Sequence, residues 1–295
     1  MDKQIDLHIH RLSLLTQAPM TRRAFAATGL VTGFALAAGP VQAQAIHTDA
    51  AGLDAGEVQI PVADGKIPGY RAKPSGRTNR PVVLVVQEIF GVHEHIKDIC
   101  RRFAKQGYYA IAPSLYARQG DPGKYDLDHL HDLVADIVSK VPDAEVMSDL
   151  DSTVAFAGGD GGDPAHLAIT GFCWGGRIVW LYAAHNPELK AAVAFYGQLR
   201  GQPNDLRPKF PLELAGEMKC PVLAFYGAKD MGIPLSDVED MRAELAKAGK
   251  LDSRIEVFMD TGHGFMADYR SSYNEKDAKT AWREMLAWFH KKGVG

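Results

Sequence analysis

The segment TGFCWGG, residues 170–176, decides how the rest of the chain is interpreted. It follows the apolar run 166–170 and precedes the helix-like segment 177–184, a pattern that predicts a strand, a sharp turn and a helix. The glycines at 171 and 175 let strand and helix approach each other without Cβ clashes. Cys173 at the apex is therefore predicted to be a nucleophile, and the alternative is a buried structural cysteine at a tight turn.

The chain around this turn alternates strand-like and helix-like segments. Strands are predicted at 57–62, 67–73, 81–87, 108–112, 190–196, 221–226 and 254–259, and helices at 96–106, 127–140, 144–157, 235–248 and 276–290. Continuous β-branched runs such as PVVLVVQ (81–87) are typical of strands buried on both faces of a parallel sheet. The alternation predicts one α/β domain over residues 46–295, with a doubly wound, mostly parallel sheet and helices on both of its faces.

Two polar residues follow later predicted strands in the order that a catalytic triad requires. Asp230 comes after the strand 221–226, and His263 comes after the strand 254–259, each in a loop with glycines. A turn carboxylate or a loop histidine is unremarkable alone, but nucleophile, acid and base in this order favour catalysis. We expect His263 to accept the proton of the Cys173 thiol and Asp230 to orient and charge-stabilise the imidazole ring.

Composition excludes several classes of protein. With 295 residues, 46% hydrophobic and 23% charged, the chain is an ordinary globular protein, and its net charge of −3 argues against a nucleic-acid partner. Three cysteines with no zinc-ligand spacing argue against a disulfide scaffold or a structural metal. We expect a small-molecule substrate, no cofactor, no metal and no membrane in the mature form; a monomer is the expectation, although the sequence leaves the oligomeric state open.

The N-terminal segment, residues 1–45, is predicted to be a twin-arginine signal and not part of the fold. Arg22 and Arg23 precede an apolar stretch, 26–38, that is short for a transmembrane span, and Ala43-Gln44-Ala45 resembles a cleavage site. We expect cleavage near Ile46 and export to the bacterial periplasm, with a cytoplasmic location if the segment is not used. An accidental arginine pair before a surface helix is the alternative, and either Met1 or Met20 could be the start.

Three motifs give the chain a resemblance to the dienelactone hydrolases, also called carboxymethylenebutenolidases, of the α/β-hydrolase superfamily. They are QEIFG (87–91), PSLYAR (113–118) and GFCWGG (171–176), and with Asp230 and His263 the similarity spans about residues 55–291. The resemblance implies an α/β-hydrolase fold and hydrolysis of an unsaturated lactone through a thioester acyl-enzyme. It also implies that Glu88 contacts the resting thiol and accepts its proton, and that the backbone N–H groups of Ile89 and Trp174 form the oxyanion hole.

The chain departs from this family where the family holds the carboxylate of its substrate. Of the two arginines used there, one is expected at Ala155 and the other at Ala267 in this sequence. Arg270 is the nearest cation to the second position, and the role is not transferred to it. The missing arginines favour a neutral lactone or ester as substrate.

The remaining candidates are aromatic residues and a histidine pair. Tyr116 and Phe90 are candidates for lining a substrate pocket, although aromatic residues near such a turn are as often packing. His93 and His95 have a metal-ligand appearance without a third ligand at a convincing spacing, so a solvated helix start is the simpler interpretation. Two alternatives to a cysteine hydrolase thus remain: a non-catalytic binding protein on the same fold, and a metal-dependent hydrolase using His93 and His95.

Overall fold

The computed structural model describes residues 45–295, so all but the last residue of the predicted signal segment lies outside the described residues. Eight strands and six α-helices follow one another along this part of the chain. The strands are β1 (Leu53–Val62), β2 (Gly65–Pro74), β3 (Arg80–Val86), β4 (Tyr109–Pro113), β5 (Gly162–Phe172), β6 (Ala191–Phe195), β7 (Val222–Gly227) and β8 (Arg254–Phe258). The helices are α1 (Glu94–Lys105), α2 (Leu130–Asp136), α3 (Asp143–Gly159), α4 (Trp174–His185), α5 (Leu235–Lys247) and α6 (Glu275–Lys291).

All eight strands form one sheet in the order β1-β2-β4-β3-β5-β6-β7-β8. The β1–β2 hairpin and the β2–β4 pair are antiparallel, and the strands from β4 to β8 pair in parallel. Strands β6 and β7 are buried throughout, and β3 and β5 are buried over their carboxyl-terminal parts, as the apolar runs in these strands predict. The predicted mostly parallel α/β sheet is confirmed.

The sheet is doubly wound because the chain reverses direction across it after β4. The crossover from β3 through α1 runs toward β2, whereas the crossovers through α3, α4 and α5 run toward β8. Right-handed crossovers of opposite direction place their helices on opposite faces. Helix α1 therefore lies on the face opposite α3, α4 and α5. On its face it packs against α6, since the ring of Phe103 lies 4.8 Å from that of Trp282 and 6.0 Å from that of Phe289. Ligands of such sheets bind beyond the carboxyl ends of the strands, near this reversal.

One predicted helix is broken in the structure. The segment predicted as 127–140 is a 3₁₀ turn at Leu127–His129, helix α2, and a second 3₁₀ turn at Val138–Lys140. Ile137 leaves helical geometry with φ −120° and ψ −67°. Because Val134 and Val138 on either side of this break both line the cavity described below, tertiary packing overrides the helical periodicity. None of the helices in residues 45–295 is long and apolar enough to cross a membrane.

Candidate active site

Cys173 lies at the apex of the turn between β5 and α4, as predicted. Its backbone has φ 59° and ψ −117°, a conformation that costs a non-glycine residue about 1–3 kcal/mol and is found mainly at functional sites. The neighbouring glycines are required, because a Cβ at Gly175 would lie 2.5 Å from two strand carbonyls and one at Gly171 would lie 2.5 Å from the Gly175 carbonyl. The packing of strand against helix therefore holds the strained cysteine in place.

His263 and Asp230 form a buried hydrogen-bonded pair across two adjacent loops. The Nδ1 atom of His263 lies 2.8 Å from Oδ2 of Asp230, and Oδ1 of Asp230 accepts hydrogen bonds from the N–H groups of Gly232 (2.8 Å) and Ile233 (3.2 Å). The loops themselves are joined, because the Lys229 N–H donates to the Thr261 carbonyl at 2.8 Å. The carboxylate is thus oriented by backbone groups and presents one oxygen to the ring.

The electrostatics of this pair favour the imidazolium form. Burial lowers the pKa of His263, but the neighbouring Asp230 and Cys173 outweigh this effect and raise that pKa to about 10. The ring of Tyr196 packs against the His263 ring, with centroids 4.9 Å apart. A protonated histidine beside Cys173 stabilises a thiolate, which is the nucleophilic form of a cysteine.

Cys173 and His263 line one cavity of about 60 Å³, which is large enough for a few water-sized groups. Ile89 and Trp174 also line it, and in residues 45–295 no hydrogen bond occupies the backbone N–H of either residue. The N–H of Trp174 is the first of helix α4, where the helix dipole favours negative charge. An oxyanion beside Cys173 is therefore compatible with the two predicted donors.

Tyr116 and Phe90, the two predicted pocket residues, lie outside the lining of this cavity. Tyr116 is buried and packs edge-on against Trp174, with ring centroids 4.9 Å apart. Phe90 is partly buried, and the guanidinium of Arg270 lies 4.6 Å from its ring centroid. Neither side chain is among those that line the cavity, whose apolar wall is built instead from Val134, Val138 and Ile233.

Glu88 follows β3 at the same edge of the sheet and is completely buried. Its Oε2 accepts a hydrogen bond from the Tyr269 hydroxyl at 2.7 Å and lies 3.4 Å from His93 Nε2 and 3.9 Å from Arg270 Nη2. Burial raises the pKa of Glu88, but Arg270 and His93 outweigh it and hold that pKa well below its usual range. A carboxylate so stabilised is a weak proton acceptor, although its other oxygen, Oε1, has no hydrogen-bond partner among the described residues.

Sequence reasoning assigned no role to Arg270 and none to Tyr269. Both lie on the loop between His263 and α6, and the side chains of both converge on Glu88. No signal in the sequence identifies this convergence, because it depends on how an irregular loop folds back over the end of β3.

Ala155 and Ala267 occupy the two positions where the resemblance led us to expect arginines. Ala155 lies on the exposed side of α3, and Ala267 is buried beside the loop of His263.

The histidine pair His93 and His95 is not the solvated helix start that we expected. His93 precedes the first residue of α1 and lies against Glu88, while His95 is buried, with Nδ1 3.2 Å from Asp268 Oδ1. Helix α1 starts beneath the loop between His263 and α6, which we call the Tyr269 loop, and the Tyr269 ring packs against both imidazole rings. In the part of the chain that the structure describes, no group of three or more His, Cys, Asp or Glu side chains is arranged to hold a metal ion.

A doubly wound sheet with a cysteine at a strained strand-to-helix turn, and a carboxylate and a histidine after later strands, is typical of an α/β hydrolase. Comparison with known proteins identifies the branch. A model of the dienelactone hydrolase family matches residues 67–293, and the chain belongs to that family. The resemblance predicted from the sequence is confirmed, and the protein is a carboxylic-ester hydrolase of the carboxymethylenebutenolidase type.

Individual relatives agree with this assignment. The chain is 55% identical over 284 residues to a "putative carboxymethylenebutenolidase" of Methylorubrum extorquens, covering 96% of this chain and 97% of that protein. It is 48% identical over 268 residues to the Escherichia coli protein of the same name, covering 90% and 98%. A crystal structure titled as a putative dienelactone hydrolase from Klebsiella pneumoniae is 53% identical, with a TM-score of 0.78 and coverage of 81% and 98%.

Proposed function

We propose that the protein opens lactones or cleaves esters with Cys173 as nucleophile, through a thioester acyl-enzyme. The observation that carries the proposal is the position of Cys173, which stands at the strained turn and lines one cavity together with the Asp230-bound His263. A structural cysteine would gain nothing from that backbone strain. The other two cysteines, Cys100 and Cys220, are buried elsewhere, and burial raises the pKa of the Cys220 thiol to about 12.

In the first half of the reaction, Sγ of Cys173 attacks the carbonyl carbon and forms the S–C bond. The electron pair of the carbonyl moves to oxygen, where the N–H groups of Ile89 and Trp174 stabilise it. Collapse of this intermediate breaks the C–O bond of the ester or lactone, and the leaving alkoxide takes a proton from protonated His263. In a lactone the alcohol so formed remains attached to the acyl group.

In the second half, water attacks the thioester and His263 accepts a proton from it. The C–S bond breaks, the acid is released, and Cys173 leaves as the thiolate. Asp230 keeps the ring oriented and stabilises its positive charge throughout. Transfer of the resting thiol proton to Glu88 before attack, and its return to the Cys173 thiolate after the acid is released, is a separate proposal, supported by the burial of Glu88 and its open Oε1. Unchanged turnover in Glu88→Gln would remove that step from the mechanism.

The decisive experiment combines turnover with trapping of the acyl-enzyme. We expect Cys173→Ala to lower kcat for p-nitrophenyl acetate by about a thousandfold or more, and iodoacetamide to inactivate the wild type unless substrate protects it. Intact-mass measurement after rapid acid quench should show one acetyl group on the wild type and none on Cys173→Ala. Cys220→Ala is the matched control and should retain both activity and acylation. Full esterase activity in Cys173→Ala would contradict the proposal.

A further inference from the structure

Four polar side chains line the cavity besides those of the proposed nucleophile and base. They are Arg177, Tyr196, Gln198 and Arg207. Gln198 and Arg207 are partly exposed. The guanidinium of Arg177 is buried, but its two terminal nitrogens donate to the two carboxylate oxygens of Asp143, both at 2.7 Å. Tyr196 differs from all three, because its side chain is completely buried and its hydroxyl forms no hydrogen bond within residues 45–295.

A buried tyrosine hydroxyl normally has a hydrogen-bond partner, and two other tyrosines of this sheet follow that rule. Tyr226 in β7 donates to the Gly197 carbonyl at 3.0 Å, and Tyr108, which precedes β4, donates to the Val294 carbonyl at 3.2 Å. A buried hydroxyl without a partner destabilises the folded state, so its presence at a cavity indicates a partner that binds from outside the chain.

The backbone of Tyr196 is strained in the same sense as that of Cys173. Its φ is 38°, and Asn79, Cys173 and Tyr196 are the three non-glycine residues of the described part of the chain with a positive φ. The N–H of Cys173 donates to the Phe195 carbonyl at 3.0 Å, which joins the two strained segments. The N–H of Tyr196 donates to the Phe225 carbonyl of β7 at 2.8 Å. Packing therefore enforces the strain at Tyr196, and strain of this kind is concentrated at functional sites.

The position of Tyr196 relates its hydroxyl to one oxygen of the substrate. Its ring packs against the ring of His263, with centroids 4.9 Å apart, and both side chains line the cavity. In the proposed reaction His263 serves the oxygen that leaves, whereas the backbone N–H groups of Ile89 and Trp174 serve the carbonyl oxygen. A hydroxyl on the His263 side of the cavity is therefore placed to serve the leaving oxygen.

We propose that the Tyr196 hydroxyl is a second hydrogen-bond donor to the leaving oxygen, acting beside His263. As the C–O bond breaks, His263 supplies the proton, and Tyr196 keeps its own proton while its hydrogen bond stabilises the negative charge that develops on the oxygen. Tyr196 is then a catalytic residue. This inference rests on the proposed cysteine hydrolase and adds one group to its first half-reaction.

The electrostatics of the two side chains support this division of work. Burial and the nearby Glu88 raise the pKa of Tyr196 well above its usual value, so the phenol keeps its proton and remains a donor at neutral pH. The pKa of His263 is raised to about 10, which makes the imidazolium a weak acid. A second donor therefore matters most when the leaving oxygen is a basic alkoxide, whose charge develops before the proton has arrived.

Three acetate esters that release different alcohols provide the test. The p-nitrophenyl, phenyl and benzyl esters share one acyl group, and the leaving oxygen becomes more basic in that order. We expect Tyr196→Phe to lower kcat/KM for benzyl acetate by about 10- to 100-fold and for p-nitrophenyl acetate by less than about threefold, with phenyl acetate between them, because a hydrogen bond stabilises the more basic oxygen more strongly. A purely structural role would lower all three values by the same factor.

Urea unfolding separates loss of the donor from damage to the fold. Because the Tyr196 hydroxyl has no partner in the described residues, Tyr196→Phe should leave the unfolding midpoint unchanged or raise it. Tyr108→Phe is the matched control, since it removes a paired hydroxyl at the opposite, amino edge of the sheet. It should lower the midpoint and leave the three kcat/KM values in their wild-type proportions.

Two outcomes count against the inference in different ways. If p-nitrophenyl acetate acetylates Cys173 but Tyr196→Phe lowers kcat/KM equally for the three esters, or lowers none of them, the role of Tyr196 is overturned and the cysteine mechanism stands. If the wild type hydrolyses the esters and Cys173 is not acetylated, the proposed function itself is contradicted.

Discussion

Asp230 and Glu88 are both buried carboxylates at the carboxyl edge of the sheet, but they face partners of different charge. Asp230 faces one imidazole and two backbone N–H groups, and its negative charge raises the pKa of His263. Glu88 faces a phenol, an imidazole and the guanidinium of Arg270, and the guanidinium and the imidazole lower its own pKa. Asp230 thus raises the pKa of the neighbouring His263, whereas Glu88 is itself stabilised as an anion by its neighbours.

Under the proposed mechanism, this difference separates a charge that acts in catalysis from a charge that is balanced by the fold. The charge of Asp230 acts on a residue that lines the cavity, so its removal should affect the reaction more than stability. Most of the charge of Glu88 is balanced by residues of the Tyr269 loop, so its removal should affect stability at least as much as the reaction. Four substitutions test this contrast.

The largest effect is expected for Asp230→Asn. Without the carboxylate, kcat should fall by about a thousandfold, because the ring loses its orientation and the imidazolium its stabilisation. The wild-type pKa of His263 is raised to about 10, so kcat/KM should hold up to that pH and fall above it as the leaving-group acid is lost. In Asp230→Asn this alkaline limb should move down by about 1–3 pH units. A limb at the same pH in both enzymes would show that Asp230 does not set the charge of His263.

A smaller effect, on the free energy of unfolding, is expected for Arg270→Gln. Removing the cation leaves Glu88 buried with less compensation, which should cost about 3–5 kcal/mol in urea unfolding. The double variant with Glu88→Gln should recover part of this loss, since no uncompensated charge remains. Strict additivity of the two substitutions would show that the two residues do not interact energetically.

The same ion pair has a defined pH dependence. Because the folded-state pKa of Glu88 is lowered, its stabilisation is fully present above the unfolded-state value of about 4.3 and is lost as the pH falls below it. The difference in unfolding free energy between the wild type and Glu88→Gln should therefore be largest near neutral pH and shrink in acid. A difference that grows on acidification would contradict this electrostatic balance.

The smallest effect is expected for Tyr269→Phe, which removes one hydrogen bond to Glu88. The loss should be about 1.5–3 kcal/mol of unfolding free energy, as for hydrogen bonds to charged groups. Tyr125→Phe is the matched control, because its hydroxyl contacts Asp136 at the surface at 3.3 Å, and it should cost less than about 0.5 kcal/mol. Equal losses in the two variants would show that the Tyr269 hydroxyl stabilises the fold no more than a surface hydroxyl does. That result would contradict a role for this hydrogen bond in stabilising the Glu88 carboxylate.

The sequence predicts the part of the site that the backbone determines. Cys173 is identified by glycine spacing, and Asp230 and His263 by their positions after buried strands, since the ends of parallel strands meet at one edge of the sheet. Arg270 and Arg207 are long side chains from irregular loops, and where their ends converge depends on tertiary contacts that leave no periodic signal. For the same reason the break in the segment 127–140 and the burial of His95 were not predicted.

The walls of the cavity come from different parts of the chain than the three predicted catalytic residues do, and this difference has an evolutionary consequence. Cys173, Asp230 and His263 are tied to strand ends, where a shift of the backbone would disturb the whole sheet. Val134, Val138 and Arg207 come from the long connections after β4 and β6. Substitutions and insertions in those connections can change which compounds enter without altering the proposed reacting groups. A lineage carrying this sheet can therefore diversify its substrates by loop changes while its chemistry is inherited unchanged.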